Sequence, residues 1–138
     1  MDCVFCKIIK GEIPSTKVYE DDRVIAIMDI SQVTDGHTLV IPKKHYKDFI
    51  EIDSEELKYL TGIAQKSGQS MMKNLKGIKG LNIVNNCGEK AGQAVMHYHL
   101  HIIPRYDDDT YSIKGVDHSD NIDFKKLSLL AEEIKKDL

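Results

Sequence analysis

The sequence predicts an α+β fold with a mainly antiparallel sheet, a short N-terminal helix, one long helix and a C-terminal helix. Three observations carry this. Four or five short β-prone runs are joined mostly by hairpin-like connections, which suit antiparallel strands and not parallel ones. Two longer segments repeat apolar residues at helical spacing. Three of the six histidines fall at strict alternation between Met96 and Arg105, the period of a strand.

Taken in order, Val4, Phe5, Ile8 and Ile9 lie at near-helical spacing, and Gly11 with Pro14 stops that helix within two turns. Lys17 to Glu20 and Val24 to Met28 are brief strands split by the turn-like Glu20-Asp21-Asp22. A polar loop, Gln32 to Gly36, precedes His37-Thr38-Leu39-Val40-Ile41, a strand closed by Pro42 with His37 and Leu39 on one face. Asp53 and Glu56 read as a capping box, and Leu57, Leu60, Ala64, Met71 and Leu75 form the stripe of the long helix, which Gly77 and Gly80 end. Leu81 to Asn85 alternates as a strand. Asn86 to Gln93 has the composition of a loop that brings backbone N–H groups close to something, and the histidine strand follows at once. Beyond Arg105 an aperiodic stretch to Asn121 reads as a long surface loop. The last helix starts from Asp123 as N-cap, with Ile122 and Leu127 as a hydrophobic staple and Leu130, Ala131, Ile134 and Leu138 continuing the apolar stripe.

At 138 residues the chain has the usual length of one domain, and the expected unit is 1–138. A net charge of −3 with dispersed lysines points away from nucleic-acid polymers and anionic membranes as main partners. No run is long enough for a membrane span, and the start lacks the regions of a signal peptide, so a cytoplasmic location is expected. In a reducing cytosol three cysteines do not suggest a disulfide, and Cys3 with Cys6 reads as a metal or redox pair. Cys87 has no partner in sequence and is expected to be a small buried residue.

On an extended strand His97, His99 and His101 share one face while Tyr98, Leu100 and Ile102 share the other. The outer two histidines would stand about 13 Å apart, too far to share one metal with bonds of about 2.1 Å, so the three hold different jobs. A neutral imidazole is a competent nucleophile toward phosphorus near pH 7. His99, flanked on its own face on both sides, is the natural candidate, and the glycine-containing loop Gly88 to Gln93 would offer backbone donors to an anion. A partly exposed histidine pair or a simple metal site is the other reading of such a strand. Cys3 and Cys6 have the spacing of a zinc half-site that His45 and His97 would complete as a closed, structural centre. The alternative is a free dithiol.

His97-Tyr98-His99-Leu100-His101-Ile102-Ile103 resembles the histidine-triad signature of the HIT superfamily, and Phe5 to Ile9, Asp29-Ile30-Ser31, Gly36 to Lys43 and Gly92 to Val95 match its landmarks in order. The similarity runs from about Cys3 to Arg105 and is greatest to the bacterial Hint-like branch of purine nucleotide hydrolases and nucleotidyl transferases. It implies that His99 attacks the α-phosphorus and forms a nucleotidyl-histidine. It further implies that His101 and His37 contact the phosphate or tune the nucleophile, that Asn86, Gly92 and Gln93 line the phosphate site, and that Asp29 accepts from the ribose hydroxyls. Phe5, Ile8, Ile27 and Ile30 would make the apolar slot for the base, in agreement with their reading as one hydrophobic cluster. Ala94 stands where many relatives of this branch carry a serine that hydrogen-bonds the substrate at the leaving-group side, which implies weaker phosphoramidate cleavage here. The resemblance also favours zinc on Cys3, Cys6, His45 and His97, with no need of it in catalysis, and a two-fold homodimer whose sheets join. The implied activity is on purine nucleoside phosphoramidates. A dinucleoside polyphosphate hydrolase, or a zinc-stabilised nucleotide-binding interaction protein with little turnover, are the alternatives.

Overall fold

The computed structural model describes residues 3–138. Its elements are α1 (Val4–Ile9), β1 (Lys17–Glu20), β2 (Val24–Met28), β3 (Thr38–Pro42), α2 (Ser54–Asn74), β4 (Gly80–Val84), β5 (Leu100–Arg105) and α3 (Phe124–Lys135), with single 3-10 turns at Glu89–Ala91 and Ser119–Asn121. The five strands form one sheet in the order β1-β2-β3-β5-β4, every neighbour antiparallel. This is the α+β arrangement expected from the short connections.

Apart from the buried Thr38, the interior strands β2 and β3 are apolar because both their faces are covered, and alternation sorts their side chains between two cores. Val24, Ala26 and Val40 join Tyr98, Leu100 and Ile102 under α2, against Leu60, Ile63, Ala64 and Met71. Ile25, Ile27, Leu39 and Ile41 take the opposite face with Cys3 and Phe5, and Cys6, Ile8, Ile9 and Val95 pack around them. Thus six residues of α1 cap a sheet face that would otherwise be wet, and the candidate chemistry lies along that face.

Several boundaries differ from expectation. Asp53 caps α2 through Oδ2 on the Glu55 and Glu56 amides, but the Glu56 carboxylate does not return to the cap; it takes two bonds from Arg23, 2.9 and 3.2 Å. Gly80 opens β4 and does not end the helix, which stops at Asn74. The histidine segment is shorter as a strand than its pattern implies: β5 begins at Leu100, so only His101 of the three lies within it. His97 sits in a bend and His99 in irregular backbone just ahead of β5. The face assignment survives, since Tyr98, Leu100 and Ile102 are all buried under α2.

The C-terminal helix forms where predicted, with Asp123 accepting from the Lys126 amide, yet no residue of it is buried. Phe124, Leu127, Leu130 and Ile134 lie along one side, all at least 49% exposed. Ile122 is exposed as well, so the expected staple does not shield it. Among the described residues no helix is long and apolar enough to cross a membrane.

Candidate active site

The segment from Asp29 to His37 connects β2 to β3 and delivers two polar side chains to one end of the sheet. Ser31 fixes Asp29 by giving its amide and hydroxyl to Oδ1 at 2.7 and 2.6 Å, an Asx turn that leaves Oδ2 facing His37 Nε2 at 3.6 Å. Gly36, at φ +95°, allows the chain to enter β3 where an added Cβ would come within 2.9 Å of Leu75. His37 precedes β3 by one residue, and its Nε2 lies 2.9 Å from Nδ1 of His101. Asp29, His37 and His101 therefore form one group, brought together from positions far apart in the chain.

The hydrogen bonds define how these rings present themselves. The Val33 amide points at His37 Nδ1 at 3.4 Å, so that nitrogen accepts and Nε2 carries the proton. His37 then donates to His101 Nδ1, which leaves His101 with its proton on Nε2, a donor free for an oxygen outside the protein. His99 is oriented in the opposite sense. Its Nδ1 donates to the His97 carbonyl at 2.8 Å, so Nε2 keeps a bare lone pair. Phe5 meets the His99 ring edge-on at 5.0 Å, and the His101 ring lies 5.0 Å from it as well, inclined at 62°. An imidazole so held has the tautomer of a nucleophile beside the tautomer of a donor.

Burial keeps all three rings neutral. It pulls His99 below the ordinary imidazole value against the His97 carbonyl and Asp29, which favour the cation. Burial also lowers His37, against Asp29, and takes His101 down to about 4 with help from His99 and His37. At Asp29 desolvation acts upward but is outweighed by the two Ser31 bonds and by His37 and His101, so the carboxylate ends below its usual range.

The loop before the histidines differs from its expected role. The amides of Ala91, Gly92 and Gln93 bond to carbonyls within the loop, and the Gly88 amide bonds to Gln93 Oε1. These four donors hold the loop's own shape instead of standing free for an anion. Gln93 is buried, and its amide nitrogen reaches the Lys47 and Val95 carbonyls at 2.8 and 3.1 Å. Asn86 donates to the Gly92 carbonyl at 3.4 Å. Ala94 lines a cavity of about 640 Å³ with Lys47, Glu51, Val95, Met96, Cys3 and His45. Of the four residues read as one apolar cluster, Phe5, Ile8 and Ile27 pack together, but Ile30 is fully exposed. It falls just past the end of β2, on the turn toward Ser31, where no second layer reaches. Cys87, expected to be buried, is only half-buried.

A second cluster joins the N-terminus to the same segment. Cys3 Sγ lies 3.3 Å from His97 Nδ1, and Cys6 Sγ lies 3.4 Å from His45 Nδ1 and 3.5 Å from His97 Nδ1. The four donor atoms all fall within 4.8 Å of one another. Bonds of about 2.3 Å to sulfur and about 2.1 Å to nitrogen in a tetrahedron require donor separations of roughly 3.3 to 3.8 Å, so this set can hold a metal ion. His97 donates Nε2–H to the Pro42 carbonyl at 2.8 Å, which turns Nδ1 toward the thiols as a ligating lone pair. Burial drives His97 to about 4, so it is neutral as a ligand must be. One histidine thus turns its lone pair to the two thiols while its next same-face neighbour keeps its Nε2 lone pair clear of them.

Residues 10–108 match the model of the HIT domain. A crystal structure of a HIT family protein from Bacillus subtilis superposes with a TM-score of 0.93 at 47% identity, covering 100% of this chain and 98% of that one. A zinc-bound histidine triad family protein from Mycobacterium smegmatis superposes with a TM-score of 0.77 at 36% identity, covering 87% of each chain. In sequence, the adenylylsulfatase HINT3 of Arabidopsis thaliana is 40% identical over 108 residues, 78% of this chain and 54% of the plant protein.

Proposed function

The chain belongs to the HIT domain family, and from that premise we propose that it is a nucleotide hydrolase or nucleotidyl transferase acting at the α-phosphate of purine nucleoside phosphoramidates and related nucleotides. The observation that carries this reading is the paired orientation of His99 and His101. A bare Nε2 on His99 stands beside an Nε2–H on His101. In the proposed reaction the His99 lone pair forms a bond to the α-phosphorus while the bond to the leaving group breaks. The His101 Nε2–H would donate a hydrogen bond to a non-bridging oxygen as charge builds there, and the departing amine would take its proton from water. Water then attacks the nucleotidyl-histidine, giving the nucleoside monophosphate and returning His99. Asp29 would take the ribose hydroxyls, and Phe5, Ile8 and Ile27 would face the base. Ile30 could join them only by closing onto a bound nucleotide, since it stands in solvent otherwise. Asn86, Gly92 and Gln93 would shape the phosphate side through the loop they hold together. The name of the plant relative, an adenylylsulfatase, fits cleavage at an adenylyl phosphorus and extends the proposal to other α-linked leaving groups.

The Cys3, Cys6, His45 and His97 set is proposed as a zinc centre, supported by its donor chemistry and by the zinc-bound mycobacterial relative. Zinc there would supply a structural clip between α1 and the histidine segment and would take no part in the phosphorus chemistry. The protein is further proposed to work as a cytosolic homodimer, supported by the unburied apolar side of α3 and the unpaired edge of β4.

Mass spectrometry of the acid-quenched reaction with an adenosine phosphoramidate tests the mechanism. A nucleotidyl adduct mapped to His99, lost together with turnover in His99→Ala, is the expected result. Undiminished turnover in that variant would exclude it. Comparing kcat/KM for the phosphoramidate and a dinucleoside polyphosphate distinguishes the two hydrolase readings.

A further inference from the structure

We propose that Gln32, a residue with no part in the chemistry above, is a positioning residue that sets the geometry of Asp29, His37 and His101 through one side-chain amide. Its nitrogen donates to the carbonyls of Asp29 and His37 at 2.6 and 2.7 Å, and its oxygen accepts from the Gly36 amide at 2.9 Å. Three backbone groups at the base of the loop, two of them belonging to candidate site residues, are thus fastened by one group. The tip of the loop is held separately, by Thr34 Oγ1 on the Pro104 carbonyl and Tyr106 on the Asp35 carbonyl, both at 2.6 Å. Gln32 acts where these anchors do not.

Gln32 also has φ +39°, the sole positive value outside glycine among the described residues. Such backbone is costly for a side chain with a Cβ and persists where the surroundings over-determine it. Here the turn brings the next amide, that of Val33, against His37 Nδ1. The amide bonds that stabilise the strained turn therefore also preserve the donor that selects the His37 tautomer. The consequence passes to His101: without that donor His37 is free to move its proton to Nδ1, and His101 Nε2–H is no longer enforced.

Gln32→Ala and Gln32→Glu test this, with turnover of an adenosine phosphoramidate taken at each pH as a ratio to the unaltered protein. That arm rests on the activity proposed above. Gln32→Ala should fall about 10- to 100-fold in kcat at all pH values, the scale of losing two or three part-buried bonds. Gln32→Glu has nearly the same shape, but its carboxylate faces two carbonyl oxygens and should lose more near pH 8. Protonation restores one donor, so its ratio should recover about tenfold by pH 5.5. A merely structural role would lower the thermal midpoint and leave both ratios independent of pH, and that result overturns the proposal. An activity-free arm reads the histidine tautomers by 15N NMR. Loss of the Nε2–H form of His101 in Gln32→Ala supports the positioning role even if no nucleotide is turned over, in which case the functional reading alone fails. Unchanged tautomers in both variants overturn the role of Gln32 whatever the activity.

Discussion

If Cys3, Cys6, His45 and His97 hold the proposed zinc, removing it should cost the protein a defined share of its stability. An ion on Cys3 and His97 ties together residues 94 apart in sequence, and one on Cys6 and His45 ties residues 39 apart. Treated as a covalent cross-link, closing the longer loop is worth about 4 to 5 kcal/mol through the entropy of the unfolded chain. For this length the unfolding entropy is about 0.3 kcal/mol/K, so the thermal midpoint should drop by about 15 °C on chelation, less whatever the thiol and imidazole contacts recover. Calorimetry on protein purified without added metal, before and after chelation, measures the shift, with Cys6→Ser as a second route to the metal-free state. Because α1 carries Phe5 against the His99 ring at 5.0 Å, KM for the nucleotide should rise a few-fold while the His99 adduct still forms. Coincident melting curves for loaded and chelated protein would refute the clip. So would less than about a tenth of an equivalent of zinc with both thiols titrating free, since a closed site of this chemistry holds its ion tightly.

Three further expectations follow from the same structure. A histidine whose value is lowered by burial stays neutral further into acid, so kcat/KM should hold from pH 8 down through 6.5 and fall only below it, and a midpoint at 6.5 or higher contradicts the proposed buried nucleophile. By the same linkage the unfolded chain takes up protons near 6.5 that His97 and His101 resist down to about 4, so the metal-free protein should lose stability steadily across that window when melted at successive pH values. If the exposed side of α3 is a dimer contact, light scattering should give the mass of two chains for the unaltered protein and of one for Leu130→Glu with Ile134→Glu, while circular dichroism keeps its helical signal. A unaltered protein that scatters as one chain at micromolar concentration removes the homodimer.

How much of this was legible beforehand depends on distance along the chain. The α2 stripe, the β1–β2 hairpin and the caps at Asp53 and Asp123 are local patterns, and they formed as read. The sorting of Tyr98, Leu100 and Ile102 from the histidines also held, because alternation persists in extended backbone even where no ladder forms. The extent of the histidine strand was misjudged because a strand lasts only as long as a partner pairs with it. β3 pairs with β5 from Leu100 onward, and Tyr98 instead gives its amide to the Tyr46 carbonyl. Glu56 was lost as a cap to Arg23, 33 residues away, a competitor that no local pattern announces. Gln93 and Gln32 were missed as fasteners for a related reason: glutamine is common in loops, and what marks these two is the set of backbone groups each one meets.

Residue types and short-range spacing carry which chemistry is available: three imidazoles in alternation, a thiol pair, a carboxylate before a loop. These properties belong to neighbours a few bonds apart and are present in any conformation of the chain. Which nitrogen of each ring holds the proton, and which histidine meets the thiols and which the open site, depends on carbonyls and amides tens of residues distant. His97 needs Pro42, His101 needs His37, and His37 needs the turn at Gln32. Only packing α1 and the 29–37 loop onto one face of the sheet brings those groups within hydrogen-bond reach, where an angle and a few tenths of an ångström choose the tautomer.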